Sequence, residues 1–369
     1  MENTALWVNR NDFRHTRVVS NDLAALQSGQ IVVEIEKFAL TANNVTYAAS
    51  GDVFGYWQFY PTGEDPWGAV PVWGIARVVA SSADELVVGE RIYGFFPMSR
   101  YAILEPGNVV PSGFHDAASH RQVLPGLYNH YARLSGDSPD VAALEDARCL
   151  YFPLFITGFV IADLLSDNDF YAAKQIVVGS ASSKTGFGAA AFLRQAGFQG
   201  AIIGLTAESN CTFCEALGFY DRVLPYSASA SVDVQPTVFI DMSGDTDVRS
   251  SLHHRLGDDL IRSIVVGATH WEDFGTSTAP SSLPGVAPEV FFAPAQIEKR
   301  DNEWGAGVMI KRGYDASAAL AMSLSDVLVV ETHQGPEDLK TRWGQMLDNQ
   351  ISGQTGLMMS LSGETSSAS

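Results

Sequence analysis

The sequence predicts an α/β protein in two parts, a barrel-like β domain followed by a doubly wound parallel-sheet domain. Three observations carry this. The first 110 residues read as short strands punctuated by glycine and proline. From Pro153 onward, strand-like and helical segments alternate. Those later strands are apolar on both faces, as strands covered on two sides by helices are.

In the β domain, Ile31–Phe38 mixes apolar and charged residues with β-branched emphasis, and strand-like stretches follow at Val70–Ala80 and Glu85–Leu104. Pro153–Leu165 is apolar at helical spacing. Then come the strand-like run Gln175–Val178, a small-residue turn, and a helix over Gly186–Ala196. Ala201–Leu205, Thr237–Ile240 and Ile261–Val266 read as further strands. Thr212–Leu217, Ser250–Leu256, Ala316–Leu324 and Glu337–Leu347 read as helices, and Gly356–Leu361 as a closing strand. The expected division is residues 1–150 for the β domain and 151–300 for the nucleotide-type domain. Residues 301–369 return to the first domain and end in a frayed tail from Ser362. A chain of 369 residues exceeds what a single core usually organises.

Composition narrows the function classes. With 23 basic against 42 acidic residues, the net charge of −19 disfavours nucleic acid and anionic lipid as partners. No window approaches the roughly 18 consecutive apolar residues of a membrane span, and the N-terminus lacks a signal-like apolar stretch, so a cytoplasmic location is expected. Three cysteines, Cys149, Cys211 and Cys214, make no disulfide framework. The C-x-x-C of Cys211 and Cys214 falls in an expected helix without two further ligands at metal spacing, so no metal site is expected there.

The turn after Gln175–Val178 is the most informative stretch. It reads Gly179-Ser-Ala-Ser-Ser-Lys-Thr-Gly186, a strand, a tight turn and a helix N-terminus. Backbone N–H groups and the helix dipole favour an anion at such a place, so a dinucleotide pyrophosphate is expected on Ser180, Ser182, Ser183, Lys184, Thr185 and Gly186. Two serines stand where the usual G-x-x-G-x-x-G pattern has glycine, and an ordinary strand–turn–helix is the alternative. The stretch also approximates a P-loop, with Ser183 at the place of the second glycine and Asp241 able to imitate a Walker-B acid; the upstream β domain argues against it. NAD sites carry Asp or Glu about 20 residues beyond the fingerprint. Here that count reaches Thr206, uncharged, with Ser209 close by. Thr206, Ser209 and Lys184 suit a 2′-phosphate, so NADP(H) is expected over NAD, although Glu208 opposes it.

Gly74-Ile-Ala-Arg-Val-Val-Ala, followed by Val88-Gly-Glu-Arg-Ile-Tyr-Gly94, resembles the hallmark of the medium-chain dehydrogenase/reductases, with Glu90 where Asp is usual. The resemblance runs on in order through Phe155-Ile-Thr-Gly158, the fingerprint turn, Leu217-Gly218, Asp241-Met-Ser-Gly244 and Gly267-Ala268. Within that superfamily the chain resembles a zinc-free branch catalogued as a domain of unknown function. The shared segments are Ala39-Leu-Thr-Ala-Asn-Asn44, Ser180–Thr185 and Gly267-Ala-Thr-His-Trp-Glu272. The resemblance implies a GroES-like β-barrel domain, a Rossmann domain, and a homodimer. It adds Thr157, Ser243 and Gly267 to the cofactor surroundings, with Phe292-Ala-Pro294 closing over them.

Zinc-bearing relatives carry a Cys and a His–Glu pair where this chain has Thr41-Ala-Asn-Asn44 and Trp73-Gly74, so no catalytic zinc is expected. Zinc-free reductases carry Asn-x-x-Asp there, which Asn43-Asn-Val-Thr46 resembles, and Tyr47 follows. Asn43 and Tyr47 are therefore candidates to orient the substrate and supply a proton; plain turn-capping is the alternative for the two asparagines. His270, after an expected strand end, is a second acid/base candidate or a plain loop histidine, and Trp271 a pocket wall. Tyr56–Tyr60 and Leu127–Tyr131 are dense in aromatics, which suits core packing or the lining of a pocket for an apolar or aromatic small molecule. The resulting expectation is a zinc-independent NADP(H)-dependent reductase of an enone, quinone or aldehyde. A redox-neutral enzyme (lyase, isomerase or C–C hydrolase) or a non-catalytic cofactor-binding protein on the same scaffold are the alternatives.

Overall fold

A computed structural model describes residues 1–136, 143–266, 283–291 and 293–362. The chain forms two compact units, Met1–Leu150 together with the chain from Ser325, and Tyr151–Leu324.

The first unit is built on antiparallel strands. A hairpin of β1 (Glu2–Asn9) and β2 (Asp12–Asp22) forms a small sheet with β4 (Trp67–Gly68). The larger sheet centres on β3 (Ile31–Leu40), which pairs antiparallel with β5 (Pro71–Ser81), β7 (Tyr101–Leu104) and the C-terminal β18 (Thr355–Ser360). β6 (Arg91–Pro97) continues from β5, and β10 (His130–Arg133), β9 (Gly113–Asp116) and β8 (Pro106–Val110) extend that side. β17 (Val329–Gln334) lies parallel to β18 at the other edge. Ile31, Val33, Ile35 and Phe38 are all fully buried, as are Val72, Ile75 and Val78 on β5. Each such side chain contributes on the order of 1.5–3 kcal/mol of burial. The unit also carries the helices α1 (Ala42–Ala49), which starts directly after β3, and α2 (Glu145–Leu150).

The second unit holds six parallel strands in the spatial order β13 (Arg222–Pro225), β12 (Ala201–Thr206), β11 (Gln175–Gly179), β14 (Thr237–Asp241), β15 (Leu260–Val265) and β16 (Glu289–Val290). Counted from β11 this is 3-2-1-4-5-6, the doubly wound dinucleotide-binding order, with its reversal between β11 and β14. Every residue of β11 and β14 is buried, which explains their continuous apolar character. The linking helices are α4 (Lys184–Gln195), α5 (Cys211–Leu217) and α6 (Thr246–Leu256), preceded by α3 (Phe152–Asp167). α3 and α4 approach closely enough that a Cβ on Gly158 would stand 2.7 Å from the backbone nitrogen of Ala189. The fold class is thus the expected one, GroES-like β unit plus Rossmann unit.

The return to the first unit comes at Ser325, later than the expected residue 301. The reason is α7 (Ala293–Trp304) and α8 (Val308–Ser323), which pack on α3. Arg300 pairs with Asp163 at 2.8 Å and with Asp167 at 3.0 Å, two carboxylates one helical turn apart on α3. Only then does the chain run through β17, α9 (Pro336–Leu347) and β18. α9 buries Leu339 and Trp343, whose indole donates to the Phe13 carbonyl at 2.8 Å.

Candidate functional site

Two polar constellations answer to the sequence expectations, one in each unit. In the first, β3 ends at Leu40 and the chain enters α1 through Thr41. Asn44 holds this entry. Its Oδ1 accepts the Thr41 N–H at 2.6 Å, and its Nδ2 donates to the Pro71 carbonyl at 2.9 Å. Asn44 therefore belongs to the capping of α1, whereas the Asn43 side chain turns to Tyr47. The Asn43 Nδ2 donates at 2.6 Å to the phenol oxygen of Tyr47, one helical turn along. Trp73, on β5, donates its indole N–H to the same oxygen at 3.2 Å.

Tyr47 is 4% exposed. Its ring lies 4.6 Å from that of Tyr56, 5.3 Å from Phe95 and 6.1 Å from Tyr128. Burial pushes its phenol well above the ordinary value; the field of Tyr128 adds to this, and the bonds from Trp73 and Asn43 oppose it without prevailing. The phenol is protonated at neutral pH. With both acceptor positions on its oxygen taken by N–H donors, its own O–H is left to donate.

The two aromatic-rich segments divide by residue. Tyr56 and Tyr128, half-buried, join Tyr47, their hydroxyls 3.0 Å apart. Tyr60 and Tyr131 turn inward, where both donate to the Phe95 carbonyl at 2.7 Å. Arg121 sits in the same core, donating to the Tyr131 hydroxyl at 2.8 Å and pairing with buried Asp116 at 3.2 Å. That half of the aromatic density is core packing.

The second constellation is the turn after β11. Ser180 adopts φ +52°, the left-handed backbone that glycine usually supplies at such a point. Ser183 is the N-cap of α4, accepting the Gly186 N–H on its hydroxyl at 3.1 Å. A Cβ on Gly186 would stand 2.6 Å from the Ser180 carbonyl, so the third fingerprint position has room for glycine alone. Lys184 and Thr185 open the helix, half-buried, and their N–H groups belong to the first turn, which has no intrahelical acceptor. Burial lowers the Lys184 ammonium to about 8. A backbone cradle at a helix N-terminus with a lysine beside it fits a phosphate-bearing dinucleotide.

Several of the other expected residues support backbone instead of facing a ligand. Thr206 is 1% exposed and its hydroxyl donates to Ser182 Oγ at 3.1 Å, and Asn210 donates to the same oxygen at 3.2 Å. Thr206 thus braces the turn from beneath, and Ser182 receives both bonds. Ser209 is exposed. Ser243 is fully buried, its hydroxyl donating to Asp241 Oδ1 at 2.8 Å and accepting the Asp245 N–H at 3.2 Å, so it builds its own turn. Asp241 itself is spent. Oδ1 takes the N–H groups of Ser243 and Gly244, and Oδ2 takes two bonds from Arg249 at 2.9 and 2.7 Å. It does not stand as a Walker-B acid. Thr157 donates to the Pro153 carbonyl one turn back, at 2.9 Å. Gly267, His270, Trp271 and Phe292 lie outside the described residues, as does the tail beyond Ser362. Among the described residues, no three His, Cys, Asp or Glu side chains cluster as metal ligands would, and no helix is long and apolar enough to cross a membrane.

Sequence reasoning singled out neither Trp73 nor Tyr226 beside the expected residues, and it met Tyr128 only as part of the aromatic-rich segment Leu127–Tyr131. Tyr226 follows β13, and burial pushes its phenol up to about 12. Nothing local marks Trp73 or Tyr226, and the Tyr47 oxygen that Trp73 meets is distant in the chain.

Solved structures share the fold over nearly the whole chain. One is CurA in complex with NADPH from Vibrio vulnificus, 13% identical, TM-score 0.63, covering 98% of this chain and 100% of that one. Another is the yhdH oxidoreductase from Salmonella enterica in complex with NADP, 17% identical, TM-score 0.51, covering 97% and 99%. A third is a mutant form of enoyl thioester reductase from Candida tropicalis, 10% identical, TM-score 0.58, covering 98% and 100%. At these identities the likeness is one of fold, and it is the two-domain fold of the medium-chain dehydrogenase/reductases that the motif order implied. No curated protein matches the sequence. A family model described as "Protein of unknown function (DUF2855)" matches residues 38–352, which is most of the chain, and the protein belongs to that family.

Proposed function

We propose that the protein is a zinc-independent NADP(H)-dependent reductase of an activated C=C or carbonyl compound, an enone, enoyl thioester, quinone or aldehyde. The observation that carries the reading is Tyr47, a buried phenol whose oxygen accepts the N–H groups of Asn43 and Trp73, which leaves its O–H as the donor. The cradle of Ser180–Gly186 supports the cofactor half, with Lys184 beside it for phosphate. CurA and yhdH were crystallised with NADPH and NADP, and Etr1p with NADP and crotonyl-CoA, on the same fold.

When bound, the nicotinamide supplies hydride to the electron-poor carbon. Tyr47 gives its proton to the carbanion or alkoxide that results, and the Asn43 and Trp73 N–H groups then hold the phenolate. The aromatic rings around Tyr47 suit an apolar or aromatic acceptor. His270 remains a second acid/base candidate on sequence grounds. We further propose a homodimer in the cytoplasm, without nucleic-acid or membrane partners.

The test is NADPH oxidation by the purified protein across the four acceptor classes, with Tyr47→Phe alongside. Turnover of at least one class, lost in the variant while NADPH still binds, is expected. Turnover without any nicotinamide would shift the assignment to a redox-neutral enzyme, the reading that the half-buried Lys184, at about 8, favours second.

A further inference from the structure

The sixth strand of the parallel sheet has few bonds of its own. β16 consists of two exposed residues, pairs with β15 alone, and adds a half-exposed ion pair between Glu289 and Arg262. The chain just ahead of it is fixed more firmly. Gly285, at φ +77°, lies so close to the turn after α6 that a Cβ on it would stand 2.3 Å from the Gly257 carbonyl oxygen. Val286 packs on the cluster that holds Leu252, Leu256 and Leu260. One side chain reaches across to this segment, His253 of α6. Its Nδ1 lies 2.9 Å from the Pro284 carbonyl oxygen, and its Nε2 lies 2.9 Å from the hydroxyl of Ser263 on β15. His253 and Ser263 are both fully buried.

These partners dictate how the ring is protonated. A carbonyl oxygen only accepts, so Nδ1 carries a hydrogen and donates it to Pro284. The neutral imidazole then has its lone pair at Nε2, which accepts the Ser263 O–H. A proton added at Nε2 would force that hydroxyl to turn its hydrogen away, and among the described residues no second side-chain bond of Ser263 is there to receive it. It would also set a positive charge in a site closed to solvent. We propose that His253 is an acid-sensitive clasp: its neutral ring ties Pro284 to α6 and β15, and its protonation releases residues 283–291 from the edge of the parallel sheet. The inference is independent of the reductase reading and uses neither Tyr47 nor the turn after β11.

The charges around the ring do not rescue its protonated form. Burial holds His253 below the ordinary histidine value, and Arg249 and His254 on the same helix act in the same direction. The bond to Pro284 and the carboxylate of Asp241, at the end of β14, oppose this without prevailing, and Asp241 is already bonded twice to Arg249. On β15, Arg262 turns to Tyr171 and Glu289, and Pro284, Gly285 and Val286 carry no titratable side chain. The closed clasp requires the neutral ring, whereas the open segment lets it protonate as an ordinary histidine. The clasp therefore holds in full above about pH 6.5 and loosens as pH falls below that value, by up to about tenfold per unit.

Hydrogen exchange of the full-length protein tests the clasp, read by mass spectrometry at about pH 7.5 and about pH 5.5 and corrected for the intrinsic pH dependence of exchange. Residues 283–291 should exchange about tenfold faster at the lower pH, while β11 keeps its protection. His253→Gln, which cannot take up a proton, should abolish that pH dependence. Gly285→Ala, whose Cβ would force the segment off Gly257, should leave residues 283–291 exchanging fast at both pH values. A second readout needs no variant: nitrogen-15 histidine spectra at neutral pH should show His253 with its hydrogen on Nδ1. The opposite tautomer would overturn the proposal. So would an unchanged rate at the lower pH, an acid response that persists in His253→Gln, or a loss of protection shared equally by β11.

Discussion

The Tyr47 cluster in the β unit and the turn after β11 in the parallel-sheet unit are both polar, but they spend their side chains in opposite ways. Around Tyr47, side chains face one another: an amide and an indole converge on its oxygen, and two further phenols bond each other beside its ring inside an aromatic wall. At the turn, side chains are consumed in holding backbone. Ser183 caps α4, Thr206 and Asn210 brace Ser182, and Ser243 closes its own turn with Asp241. What the turn offers a ligand is the backbone N–H of the first turn of α4, with Lys184 at its opening. On the proposed reading the first region handles the proton and the second holds the anion, which is the division of labour a nicotinamide enzyme needs.

Separate substitutions can break each half. The largest effect is expected from Gly186→Val. Its Cβ would meet the Ser180 carbonyl at 2.6 Å, so the turn has to open, and NADPH binding by calorimetry should be lost. Next is Tyr47→Phe, which should cut kcat by on the order of 10²- to 10⁴-fold, the usual worth of a general acid, with NADPH affinity retained. Loss of NADPH binding in that variant would refute the division.

Lys184 sharpens the comparison through pH. In the free protein its ammonium lies at about 8, below the ordinary lysine value, so above that pH the side chain is neutral. A bound phosphate favours the charged form, and binding there has to take up a proton. Affinity for NADPH should therefore fall as pH rises above about 8, by up to about tenfold per unit, and Lys184→Met should flatten the profile. The smallest effect is expected from Thr206→Val. Losing the bond to Ser182 should cost about 1 kcal/mol of stability, read by denaturant unfolding, with NADPH affinity changed little. A large loss of affinity would restore Thr206 as a ligand residue.

The same contrast explains what is legible in the sequence. β11 and β14 are buried throughout, and their apolar runs announce the parallel sheet. β2 and β17 are mostly exposed, so neither hydropathy nor alternation marks them, and the hairpin Glu2–Asp22 leaves no such signature. Asn43 and Tyr47 are legible because they sit one helical turn apart in one segment. Trp73 and Tyr128 come from a strand and a turn far along the chain, and only tertiary packing brings them to the phenol. Thr206 reads as a ligand residue from its spacing alone; its burial, which turns the hydroxyl to Ser182, is a tertiary fact. Residues 301–324 belong to the second unit and not, as expected, to the first, because the pull of Asp163 and Asp167 on Arg300 acts between helices far apart in sequence.

The most direct test of the central claim is the affinity of the purified protein for NADPH, NADH and ATP, titrated in parallel by calorimetry. Saturable binding of NADPH, clearly tighter than NADH and with no comparable affinity for ATP, is the predicted result. Absence of binding by either nicotinamide would contradict the reductase assignment and leave Lys184, Tyr47 and His270 to be explained by redox-neutral chemistry.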